Sequence, residues 1–132
     1  MLPYRTGVAL SPGLTAAVDL HVEEVDTAEA LASGDVAVLG TPRLVALCEQ
    51  ATCEALTGLL GPGETSVAKR VQFDHLAPVA IGSKVRAEAT LERIEGRRLT
   101  FSVSVSDTSG LVGAGKVTRV IVERSTFLAK AR

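Results

Sequence analysis

The tripeptide Gly40-Thr41-Pro42 constrains the fold more than any other stretch of this 132-residue chain. Thr before Pro is a strong helix start: the hydroxyl can cap free N–H groups, and the ring's fixed φ suits the first helical position. The good helix formers of LVALCEQATCEAL follow, and Gly58 and then Gly61-Pro62-Gly63 stop the run. The spacing therefore predicts one helix over about 42–60, with Thr41 as its N-cap.

The rest of the chain reads mostly as strands. Residues 14–22 form a first, and the acidic stretch 23–35 reads equally as a short helix or a flap. Residues 66–77 put Val71, Phe73, His75 and Ala77 on one face. Residues 84–94 alternate and then slip by one near Arg93, the mark of a bulge. A hairpin turn at 95–98 leads into the clean alternation of 99–105, a second turn at 107–110 into a last strand over 111–123, and 126–132 reads as a tail. A single helix covers a five-stranded antiparallel sheet only if the sheet curls around it. The fold class is α+β, a hot-dog fold with one long central helix wrapped by a curved five-stranded sheet. The length fits one domain, 1–132. Open sheet edges call for protection, and pairing between copies is a common answer.

Composition decides what fills that sheet. Apolar residues make up 46% of the chain, but aromatics only 3%, with no Trp, so Val, Leu, Ala and Ile must build the core. A net charge of −1 gives no long-range pull toward nucleic acid or an anionic membrane. Any basic site must be local, a small patch that meets a phosphate. Cys48 and Cys53 lie five apart on the helix, point in different directions, and read as small core residues in a reducing compartment. The apolar run of MLPYRTGVAL is too short for a signal peptide, and no stretch has the length of a membrane span. The expectation is a cytoplasmic protein.

Four polar residues stand in apolar company. On a helical wheel, Leu44, Cys48, Ala51, Thr52, Ala55 and Leu59 form the apolar face, opposite an arc of Arg43, Gln50, Glu54 and Thr57. Glu49 falls on the flank of the apolar face. A partly desolvated carboxylate there can act as a base or nucleophile, or it is a rim group that reaches water or an arginine. Thr41 is an N-cap that also stands where a helix head favours developing negative charge. His75 is either a satisfied core residue or a proton carrier suited to neutral pH. Arg119 shares a face with Val117 and Ile121 and needs a partner, either a phosphate or an acid such as Glu49. No metal-ligand spacing, P-loop or GxSxG elbow occurs, and no metal or cofactor is expected. Gly113 and Gly115 mark close packing or a bulge.

GTPRLVALCEQATCEAL, TSVAKRVQFDHLAPVAIGSKV, EGRRLTFSVSVSD and TRVIVERSTFLAKAR, in this order, resemble the fluoroacetyl-CoA thioesterase family of hot-dog proteins. The resemblance runs from about Leu39 onward. It implies a catalytic set of Thr41, Glu49 and His75 at the interface of a homodimer, with Arg119 and the backbone at Ala68 contacting an acyl-CoA substrate. Two positions depart from the family. Ala68 stands where the family has glycine, and EALASGDVAVL, ahead of the helix, lacks the aromatic residues of the fluoroacetyl-specific member. The implied activity is hydrolysis of a generic short acyl-CoA. The alternatives are a non-catalytic acyl-CoA binding protein and a hot-dog dehydratase acting on a hydroxyacyl thioester.

Overall fold

The structure is a computed structural model and describes residues 9–132; the N-terminal reading for a signal peptide falls largely outside them. Strand β1 (Thr15–His21) leads through a 3-10 turn (Glu24–Asp26) and an irregular segment to helix α1 (Thr41–Leu56). Strands β2 (Glu64–His75), β3 (Lys84–Glu95), β4 (Arg98–Asp107) and β5 (Gly110–Glu123) follow, and a short helix α2 (Arg124–Leu128) occupies what reads in the sequence as an unstructured tail. The five strands form one antiparallel sheet in the order β1-β3-β4-β5-β2, so β1 and β2 are its edges.

Period-two alternation puts the apolar set of each inner strand against α1. Val85, Ala87, Ala89 and Leu91 of β3 and Leu99, Phe101 and Val105 of β4 are fully buried, as are Leu44, Cys48, Ala51 and Ala55 of α1. Each large aliphatic chain so enclosed contributes about 1.5–3 kcal/mol over an exposed one. Among the described residues Phe101 is the only aromatic in this buried core, as expected of a chain so poor in rings.

The register of β3 slips between Leu91 and Arg93, where the alternation breaks in the sequence. A second bulge, between Ala68 and Arg70, has no comparable sequence signal. Gly113 and Gly115 are close-packing residues. A Cβ on Gly113 would stand 2.5 Å from Phe73 Cζ and 2.9 Å from the Asp74 carbonyl oxygen, and one on Gly115 would strike the Gln72 carbonyl and lie 2.8 Å from Phe73 Cα.

Several expectations need correction. The helix ends at Leu56, because Gly58 at φ +76° already turns the chain away. Gly40, not Thr41, is the N-cap, with Thr41 and Pro42 inside the first turn. Residues 23–35 are helical only in the 3-10 turn Glu24–Asp26 and form no detached flap. After the 3-10 turn the segment is pinned by bridges Thr27–Leu39 and Val38–Ala80. Cys48 is buried as expected, whereas Cys53 is exposed, one step past the apolar stripe.

Candidate active site

The head of α1 and the end of β2 meet. Thr41 makes no cap because its hydroxyl is used elsewhere: Oγ1 lies 2.8 Å from His75 Nδ1. The other ring nitrogen, Nε2, is buried and has no hydrogen-bond partner among the described residues. A buried polar atom left open in this way is costly unless a ligand or another chain completes it. Beside the pair lies a cavity of about 280 Å³ lined by Val36, Val38, Ala77 and Pro78, with Ser33 as a polar wall residue.

The helix head is sparing with its donors. Arg43 and Leu44 N–H both bond the Gly40 carbonyl, and Pro42 has none to give, so Thr41 N–H is the free donor of the first turn. It belongs to the same residue whose hydroxyl meets the imidazole.

Asp26 sets the position of this head, and sequence reasoning missed it. It is 6% exposed, accepts from Arg43 Nε at 3.0 Å and from Glu23 N–H at 2.8 Å, and its carbonyl accepts Gly40 N–H at 2.9 Å. One residue thus ties the turn before the segment to both sides of Thr41. In the sequence Asp26 is one acid among several in a charged run, with nothing to single it out.

The remaining candidates do not converge on the Thr41–His75 pair within one chain. Glu49 is half-buried on the flank of α1, and its carboxylate has no hydrogen bond or ion pair among the described residues. Eight residues separate it from Thr41, an axial rise of about 12 Å that no glutamate side chain spans. Its charge, after burial itself, is the second cause that pushes the Cys48 thiol up to about 12.

Arg119 is 6% exposed and pairs with no acid among the described residues, contrary to one of its two sequence readings. Its Nε donates to Ser66 Oγ at 2.8 Å, Nη2 to the Ser66 carbonyl at 2.9 Å and Nη1 more weakly to Thr52 Oγ1 at 3.5 Å. Thr52 Oγ1 in turn donates to the Glu49 carbonyl at 2.6 Å. Arg119 therefore braces β2 against the turn of α1 that carries Glu49. Ala68 is its register partner across β2 and β5, at the start of the bulge.

Known structures share this architecture. A thioesterase superfamily member from Thermus thermophilus superposes with a TM-score of 0.82 at 29% identity, covering 91% of this chain and 89% of its own. A mutant of the fluoroacetyl-CoA-specific thioesterase FlK, in complex with fluoroacetate and CoA, superposes with a TM-score of 0.85 at 28% identity over 89% of this chain and 99% of that one. The curled sheet, its single long helix and these likenesses define a hot-dog thioester hydrolase. Residues 22–125 match the family described as fluoroacetyl-CoA-specific thioesterase. The fluoroacetyl-CoA thioesterase of Streptantibioticus cattleyicolor is 35% identical over 95 residues, 72% of this chain and 68% of that protein. The chain belongs to the fluoroacetyl-CoA-specific thioesterase family.

Proposed function

We propose that this chain hydrolyses a short-chain acyl-CoA at a site built from Thr41 and His75 of one copy and Glu49 of a second. The observation that carries the reading is the 2.8 Å contact between Thr41 Oγ1 and His75 Nδ1, with Nε2 sealed and unpaired on the far side of the ring. A hydroxyl on one imidazole nitrogen, and a second nitrogen left unpaired for a carboxylate to orient, make up the nucleophile–base–orienter arrangement. The rise along α1 holds Glu49 away from the Thr41–His75 pair of its own chain, and in this reading the Glu49 of a second copy serves instead. The open edge of β2, which ends at His75, is the surface for that pairing.

In this mechanism Thr41 Oγ attacks the thioester carbonyl carbon, and His75 Nδ1 takes the hydroxyl proton. Glu49 of the second copy accepts from Nε2–H and stabilises the imidazolium. Thr41 N–H, and the backbone at Ala68 of the second copy, polarise the carbonyl oxygen; Ala68 of the same chain lies seven strand residues, about 23 Å, before His75. The C–S bond breaks, the proton leaves with the CoA thiol, and water hydrolyses the resulting ester by the same base. Arg119 holds Ser66 and Thr52, and its uncommitted N–H groups serve the substrate's polar chain. The aliphatic walls Val36, Val38 and Pro78 suit an unsubstituted short acyl group. The domain is taken to span 1–132 and to work in the cytoplasm; no described helix is long and apolar enough to cross a membrane.

Thiol release from acetyl-CoA and propionyl-CoA tests the reading. Glu49→Gln and His75→Ala should each lower the rate about a hundredfold or more. Unchanged rates in both variants refute it. Binding of the esters without turnover by the unaltered protein leaves a sequestering protein, and formation of a conjugated double bond from a hydroxyacyl-CoA a dehydratase.

A further inference from the structure

The outer face of the sheet, away from α1, carries a second cavity of about 420 Å³. Its floor is Thr100 of β4 and Thr118 of β5, direct register partners, and neither hydroxyl has a hydrogen bond among the described residues. Arg93 of β3 pairs with Thr100, and Arg70 of β2 pairs with Thr118, so one row across four strands reads Arg93, Thr100, Thr118, Arg70. Lys69, Arg98 and Lys116 add three more cations to the wall, which Gln72 and one acid, Glu95, complete.

Two of the sheet's three register shifts serve this patch; the third, between Val105 and Ser106, lies elsewhere. Neighbouring strand residues normally point to opposite faces. The β2 bulge lets Lys69 and Arg70 both line the cavity, and the β3 bulge leaves Glu92 and Arg93 both exposed, with Glu92 held by Lys116 at 3.0 Å. Glu95 is taken by Arg93 at 3.1 Å. Lys69, Arg70 and Arg98 have no acidic partner among the described residues. Edge strands often carry lysine or arginine to discourage aggregation. That accounts for Lys69 and Arg70 on β2, and Glu95 and Glu92 account for Arg93 and Lys116, but nothing of the kind accounts for Arg98 on inner strand β4.

We propose that this cavity binds a ligand through two or more phosphate groups. Forked guanidinium groups, lysines and short hydroxyls are the donor set for phosphate oxygens, and the volume is that of a small-molecule site. The excess of cations, in a chain whose net charge is −1, calls for a multiply charged anion. The site stands apart from the catalytic reading. Only one of its two possible sources, the nucleotide end of coenzyme A against a free nucleotide or pyrophosphate, rests on that reading.

Calorimetric titration of the intact protein with pyrophosphate, ADP and CoA tests the site. ADP or pyrophosphate should bind, bind less well as salt is raised, and lose roughly tenfold or more in affinity in the Arg70→Gln/Arg98→Gln double variant. Arg86→Gln, which removes a cation that pairs with Asp19 instead, should bind as the unaltered protein does. If CoA displaces ADP, and the double variant raises KM for acyl-CoA without changing kcat or the hydrolysis of an acyl-pantetheine, the phosphates are the substrate's own. If ADP binds and acyl-CoA kinetics do not respond, the ligand is a separate phosphorylated molecule. The proposal is overturned if none of the three anions binds, or if the double variant and Arg86→Gln bind them equally.

Discussion

Mixing two dead variants should restore activity. Alone, Glu49→Gln and His75→Ala should each lose about a hundredfold or more, because each removes one member of the proton-carrying set. In the proposed site Thr41 and His75 come from one chain and Glu49 from the other, a division that rests on the roughly 12 Å rise between Thr41 and Glu49 along α1. A heterodimer of the two variants then holds one intact site and one that is doubly defective. With random reassortment, half the dimers are mixed, and the pool should recover about a quarter of the unaltered rate per subunit. The assay is thiol release from acetyl-CoA after unfolding and refolding the variants together, with each variant refolded alone as the reference. Rates that stay at the level of the separate variants, with mixed dimers shown to be present by mass, would refute the shared site. In that case each chain would have to complete its own.

Four further outcomes follow from the structure. Thr41→Ser should keep most of the activity and Thr41→Val should lose it, at unchanged melting temperature, since the hydroxyl contacts His75 and caps nothing. Under native conditions a thiol reagent should label Cys53 alone: Cys48 is buried and held protonated by a pKa of about 12, and it should react only on unfolding. Gly115→Ala should destabilise the protein by about 1–3 kcal/mol in denaturant titration, because the added Cβ strikes the backbone of β2. Glu123 caps α2, and its hydrogen bonds from Thr126 and then Ser125 hold its carboxyl down to about 2. A folded value below the unfolded one stabilises α2 above the ordinary carboxylate range and ceases to do so as pH falls toward 2. Amide exchange at Ser125 and Thr126 should therefore lose protection across that window, and Glu123→Gln should flatten the profile.

The element order, the turns and the β3 bulge were legible in the sequence because they rest on local rules: alternation, Gly-containing turns, and a Pro near a helix start. The errors arose where tertiary structure overrode a local preference. Thr-Pro reads as cap and first residue, yet the imidazole of a strand 34 positions away competes for the same hydroxyl and moves the cap to Gly40. Of the two partners expected for Arg119, the acid is missing among the described residues, and the fold offers it the Ser66 carbonyl and two hydroxyls, a partner set without a sequence signature. The β2 bulge, the role of Asp26 and the basic cavity all depend on cross-strand neighbours, which no single segment encodes. Thr41 and His75, which the fold brings to 2.8 Å, stand out in the sequence because a hydroxyl at a helix head and an imidazole on an apolar strand face are each unusual on their own. Glu49 stands out in the same way, but the gap separating it from them appears only in three dimensions.

The bare edge of β2 has one more consequence. Its outward amides and carbonyls must bind water or another chain, and the strand that carries them delivers His75 at its end. If pairing of that edge also brings in the missing carboxylate, then dilution alone is an off-switch. The catalyst would fade as the protein thins out, well before anything unfolds, and its specific activity would report its own abundance.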